Sequence, residues 1–179
     1  MHLSSPAGII HVVNEPTYSF GSTDNVRCYP LEVQLAGGSQ PSSVHGVLLD
    51  DEPVAVISNG GGASGVHQHS AVFKDGLLYL AVGDSVACLS LESAKLIWSV
   101  KVDLATCFGI YFDEDNTALI SHGELEIARL SEVGEILWRQ SGSDIFSEGF
   151  VLHSKFIEVI DFNKQAYWFR YEDGVSVSP

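Results

Sequence analysis

Large apolar side chains recur along this chain in short runs, and three of those runs fall in register at a step of 40 residues. Leu80, Ile120 and Ile160 are spaced 40 apart, as are Gly83, Gly123 and Asn163, and Ala94, Gly134 and Gly174. Trp98 and Trp138 keep the step, and Ser178 stands where a third Trp would fall. A period of about 40 built from short β-like runs is the signature of propeller blades.

The clearest unit begins with Ala71-Val72-Phe73 and the turn Lys74-Asp75-Gly76. A strand follows over 77–82, then a tight turn at Gly83-Asp84, where Gly supplies the positive φ such turns need. Strands over 86–91 and 96–100 flank a turn at 92–95. Four short strands joined by tight turns make an antiparallel meander. The second unit repeats this around turns at 113–116, 122–124 and 132–135, and the third around turns at 163–164 and 172–174. Asn163 replaces Gly and is expected to take the left-handed φ, which Asn tolerates best among non-Gly residues.

The first 60 or so residues do not match at this spacing. Their β-like runs over 9–13, 28–34, 45–49 and 54–58, with a turn at Asp50-Asp51-Glu52-Pro53, predict a divergent first blade with a long irregular loop over 14–25. The Gly-rich segment 59–65 reads as a flexible connector between blades. No run carries helical periodicity. The expected fold is therefore all-β: a propeller-like array of about four antiparallel four-stranded blades. It forms a single domain over 1–179, with a divergent N-terminal blade at 8–58 and repeats at 70–103, 108–140 and 149–178.

Leu89-Ser90-Leu91-Glu92-Ser93-Ala94-Lys95-Leu96-Ile97-Trp98 resembles the repeat of the quinoprotein-like (PQQ-type) β-propeller family. Arg129-Leu130-Ser131-Glu132-Val133-Gly134-Glu135-Ile136-Leu137-Trp138 looks like a second copy with one residue fewer before the turn, and 169–174 like a degraded third. The resemblance covers roughly residues 70–178 and implies that Trp98 and Trp138 pack between neighbouring blades. Quinone-binding members use seven or eight blades, a vicinal disulfide and a metal-ligating cluster. This chain has no adjacent cysteines and about four blades, so quinoprotein catalysis and its cofactor are not expected.

A ring of four blades is at the lower limit for propellers. Three arrangements stay open: a small closed ring, an open arc with exposed edges, or a homo-oligomer in which two chains complete a larger ring.

Charge narrows the function. With 23 acidic and 9 basic residues the formal charge is −14, which disfavours nucleic acid and anionic membrane, since both need clustered Lys and Arg. The same charge speeds encounter with a basic protein partner. Cys28, Cys88 and Cys107 form no metal-ligand spacing, and an odd count without a framework points to a reducing compartment. No basic residue precedes the short apolar run near the start, which argues against a secretory signal. A cytoplasmic location is the expectation, with no membrane span.

Chemistry-bearing motifs are few. His67 and His69 flank Gln68, and in an extended segment i and i+2 side chains point the same way, so both imidazoles are candidate ligands for one metal. The acidic runs 113–116 and 50–52 lack the spacing of a calcium loop and read as solvated turns. Gly60-Gly61-Gly62 lacks the Lys-Ser or Lys-Thr of a phosphate loop, and there is no G-x-S-x-G elbow. No catalytic residue and no cofactor site is assigned. The leading expectation is a non-enzymatic protein-interaction module offering the loop 14–25 and the connector 59–65 to a basic partner. The alternatives are a metal-dependent binder or small enzyme centred on His67 and His69, and a structural subunit of a larger ring.

Overall fold

Alternating apolar and polar residues, broken by turns bearing Gly, Asp and Asn, fold the chain into sixteen strands and no helix among the described residues. The computed structural model describes residues 1–37 and 40–178. Gly38, Ser39 and Pro179, which fall within the predicted 1–179 domain, lie outside the described residues.

The first sheet holds β1 (His2–Ser5), β2 (Gly8–Asn14), β3 (Leu31–Gln34), β4 (Ser43–Leu49) and β5 (Glu52–Asn59), in the order β1-β2-β4-β5-β3. The second holds β6 (Ala71–Lys74), β7 (Leu77–Val82), β8 (Ser85–Ser90) and β9 (Lys95–Lys101) as a simple meander. The third repeats it with β10 (Cys107–Asp113), β11 (Ala118–Gly123), β12 (Glu126–Leu130) and β13 (Ile136–Ser141). The fourth holds β14 (Gly149–Leu152), β15 (Phe156–Ile160) and β16 (Ala166–Arg170).

Four four-stranded sheets were expected, and two differ. In the first, β1, β2, β4 and β5 form the antiparallel meander, and β1 was not anticipated. The segment between β2 and β4 is an insertion whose β3 adds a fifth strand, parallel to β5. In the last, the turn at Gly174 sends the chain back along β16 without completing a strand. Arg170 N–H donates to Val175 O (3.0 Å), Val177 N–H to Trp168 O (2.8 Å), and Phe169 bridges Ser176.

Packing joins consecutive sheets. Ile10, Val47 and Ile57 of the first sheet share a core with Leu78, Leu80 and Leu89 of the second. Tyr79, Val86 and Cys88 meet Ile110, Leu119 and Leu130 of the third. Ile120, Ile127 and Trp138 meet Ile157, Val159 and Phe169 of the fourth. Each such fully buried aliphatic side chain contributes about 1.5–3 kcal/mol. None of these clusters joins the fourth sheet to the first. The outer face of the first sheet is covered from within the chain: Tyr18, Phe20 and Tyr29 lie on Val44, Leu48 and Val56.

The step of 40 is not the structural step throughout. β7 ends at Val82 and β11 at Gly123, one residue late, and the register recovers by Trp138. A one-residue slip reverses the face of every side chain. Leu80 therefore packs towards the first sheet and Ile120 towards the fourth, though both sit at the same repeat position. Gly83 does hold a positive φ (58°), but in the last sheet Lys164 (66°) takes that role rather than Asn163.

Candidate functional site

In an antiparallel meander the first and third turns emerge at one end of the sheet, and the second turn with the inter-sheet connection at the other. Consecutive sheets align these ends. Lys74 of the β6–β7 turn lies 3.9 Å from Glu132 of the β12–β13 turn. Tyr171 donates to Asp113 (2.9 Å), and Asn116 donates to Ser154 O (3.3 Å). One rim of the array is thereby made of these turns, and it is acidic. The β4–β5 turn brings Asp50, Asp51 and Glu52, the β6–β7 turn Asp75, and the β8–β9 turn Glu92. The β10–β11 turn adds Asp113, Glu114 and Asp115, the β12–β13 turn Glu132 and Glu135, and the turn after β16 Glu172 and Asp173. All but Asp113 are exposed.

Carboxylates outnumber the bases on this rim. Lys74 is held by Asp75 and Glu132, Arg170 by Asp173 (2.5 Å) and Glu172 (3.8 Å), and His11 faces Asp51 (3.1 Å), while Lys95 and Lys155 stand exposed on the same rim. Elsewhere Arg27, Lys101, Arg139 and Lys164 are committed to Glu15, Asp84, Glu126 and Glu148. Burial and the hydrogen bond to Asp113 push the Tyr171 phenol up, so it stays a neutral donor. The sequence marked two of these runs as solvated turns. What it did not show is that the meander gathers them at one end.

The predicted histidine pair lies at the opposite rim. His67 Nε2 sits 2.5 Å from Phe108 O, and His69 Nε2 is 2.9 Å from Gln68 Nε2. The two rings are 6.1 Å apart and near perpendicular, so their nitrogens serve separate partners. Among the described residues no group of three or more His, Cys, Asp or Glu side chains is arranged to hold a metal ion. His69 instead stacks on Tyr111 (4.6 Å), Tyr111 lies on Phe150 (4.5 Å), and Phe150 stacks on His122 (4.5 Å). Burial, with the neighbouring His67, lowers the pKa of His69, and burial pulls His122 down to about 4. Neutral imidazoles stacked on aromatic rings make a packing seam from the connector before β6 across the third sheet to the fourth. Burial pushes the thiols of Cys88 (to about 11) and Cys107 up, which leaves them unreactive as nucleophiles.

The two predicted contact loops are both fastened down. Within 14–25, Tyr18 donates to Glu32 (2.6 Å) and Asn25 closes a turn on Ser19 and Ser22. Glu15 accepts from Tyr29 (2.6 Å) and Arg27 (2.9 Å), which anchors the segment as a cover for the first sheet. The connector 59–65 is wedged rather than flexible: Gly62 N–H donates to Ala105 O (2.8 Å), and a Cβ at Gly61 would meet that same oxygen at 2.8 Å.

No family model matches the chain, and no curated protein matches it. Solved structures do. It is similar to the computationally designed Ika4 protein, with 8% identity over 63% of this chain and 73% of that one, at a TM-score of 0.51. It is similar to the computationally designed Ika8 protein, with 8% identity over 79% of this chain and 46% of that one, at a TM-score of 0.53. The chain thus spans about half the length of Ika8. At such identity the likeness is one of fold alone. Among the described residues no helix is long and apolar enough to cross a membrane.

Proposed function

We propose that the chain is a non-enzymatic protein-interaction module, a propeller-like arc of four blades whose acidic rim receives a basic protein partner. The observation that carries the reading is the gathering of exposed carboxylates on one rim while most of the basic residues are tied up in ion pairs. Aligned carboxylates on a rigid frame raise the local concentration of a cationic partner and steer its approach. The frame needs no conformational change to present them, because each turn is fixed by the sheet beneath it.

The test is capture of partners from lysate of the source organism at low and high salt, beside a rim variant carrying Glu114→Gln, Asp115→Asn and Glu135→Gln. A basic protein retained at low salt, released at high salt and lost in the variant supports the reading, because exposed charges are screened beyond a Debye length of about 8 Å at physiological ionic strength. Retention indifferent to both salt and the rim variant overturns it.

A further inference from the structure

Between the first and second sheets, on the acidic rim, lies an apolar cleft of about 380 Å³ lined by Ser5, Pro6, Leu49, Phe73, Leu91 and Glu92. The interface between the second and third sheets has the same parts, and there the place is filled. Lys74, the last residue of β6, lays its ammonium over the Phe112 ring at 4.7 Å, reaches Glu132 at 3.9 Å and is also paired with Asp75 of its own turn, whose counterpart in the β1–β2 turn is Pro6. Its side chain is only 22% exposed, so the aliphatic stem is packed while the charged head reaches a counter-ion.

The correspondence is set by register. Ser5 pairs with Gly8 across a two-residue turn as Lys74 pairs with Leu77. Phe73 is the penultimate residue of β6, as Phe112 is of β10. Glu92 and Glu132 stand at the same place in the β8–β9 and β12–β13 turns. At the first interface the ring and the carboxylate are both present, but the residue that should reach them is Ser5, which is too short. Glu92 makes no ion pair among the described residues.

We infer that this cleft is a receptor for a lysine side chain of the basic partner, which supplies in trans what Lys74 supplies in cis at the next interface. The stem lies against Leu49 and Leu91, the ammonium faces the Phe73 ring, and Glu92 is its counter-ion. The inference rests on the proposed role of the rim in binding a basic protein, and it names the anchor.

The probe is n-butylammonium, a lysine side chain without its backbone, followed by amide chemical shifts of the full chain, with n-butanol as the uncharged control. Butylammonium is expected to shift the amides of Phe73, Leu91 and Glu92. Glu92→Gln should weaken it about two- to fivefold, the range of an exposed ion pair. Ser5→Lys fills the cleft from within and should abolish the shifts. Equal binding of n-butanol, or shifts that persist in a folded Ser5→Lys variant, overturns the inference. The two proposals fail separately. A basic partner lost in the rim variant but held fully by Ser5→Lys refutes the cleft and leaves the rim. Butylammonium binding without any salt-sensitive partner refutes the rim and leaves an ammonium site.

Discussion

The indole of Trp98 lies against the backbone of Gly134 in the next sheet, so closely that a Cβ there would meet the ring at 2.6 Å. Its Nε1–H donates to Glu132 O at 2.9 Å. Trp138 and Gly174 repeat the arrangement, with a Cβ clash at 2.8 Å and a hydrogen bond to Tyr171 O at 2.7 Å. Both glycines also hold positive φ, 85° and 70°. Where the Trp is missing the glycine is too: the same step back from Ala94 (φ 48°) reaches Ser58. Gly134→Ala should therefore cost about 2–4 kcal/mol, from backbone strain and overpacking together. In a Trp98→Leu background the same change should cost less, because only the strain is left. A double-mutant cycle by urea denaturation reads that coupling.

Asp103 is fully buried in the connection between the second and third sheets. Oδ1 accepts from the N–H groups of Ala105 (2.6 Å) and Thr106 (3.0 Å), and Oδ2 from those of Leu125 (2.9 Å) and Glu126 (2.7 Å). It thus ties its own connection to the β11–β12 turn. Asn59 serves the preceding interface in the same way, donating to Val82 O, Asp84 and Ser85. Asp103→Asn would turn an amide NH₂ towards backbone donors and should cost about 2–4 kcal/mol, as expected for losing charge-assisted bonds and stranding buried N–H groups. Chemical denaturation at neutral pH measures it.

The meanders were legible because apolar residues are dense and turn residues are specific in the middle of the chain. The turn positions Ala94, Gly134 and Gly174, and Trp98 and Trp138 on the fourth strands of the second and third sheets, sit where the repeat predicted. What the pattern could not show was facing. Leu80 and Ile120 look equivalent in the sequence, yet a single extra residue before Gly123 puts them on opposite sides of their sheets. β1 was missed because His2-Leu3-Ser4-Ser5 is short and half polar, and it becomes a strand through pairing with β2. The acidic rim was visible only as scattered turns. Topology, which no local pattern encodes, brings them together. The cleft at Ser5 was beyond the sequence for the same reason, since its meaning depends on knowing that β1 and β6 are equivalent.

His122 makes stability fall in acid. Its Nε2 lies 3.3 Å from Phe146 O, and its ring is stacked on Phe150. Burial lowers its pKa from 6.5 to about 4, so the folded protein holds the neutral imidazole. Above pH 6.5 both states are neutral and this group gives no slope. As pH falls from 6.5 towards 4 the unfolded chain takes up a proton that the folded one does not, and stability drops by about 2–3 kcal/mol across that window. His45, whose pKa burial also lowers, acts in the same direction. Urea midpoints at pH 7.5 and 4.5 should differ less for His122→Phe than for the unaltered protein.

The cover on the first sheet carries the last prediction. Tyr18, Phe20 and Tyr29 shield Val44, Leu48 and Val56, on the face that a further sheet would otherwise occupy. An apolar sheet face left bare would be a surface for association between copies. Replacing Tyr18 and Phe20 together by Ala should open an apolar sheet face and drive concentration-dependent association, read by light scattering. Tyr29→Phe is the control: it keeps the ring and loses only the hydroxyl that Glu15 accepts. That change should cost about 1 kcal/mol and leave the association state as it was. If the double variant stays in the same state as the control at every concentration, the segment is not a cover and its packing on the sheet serves only its own folding.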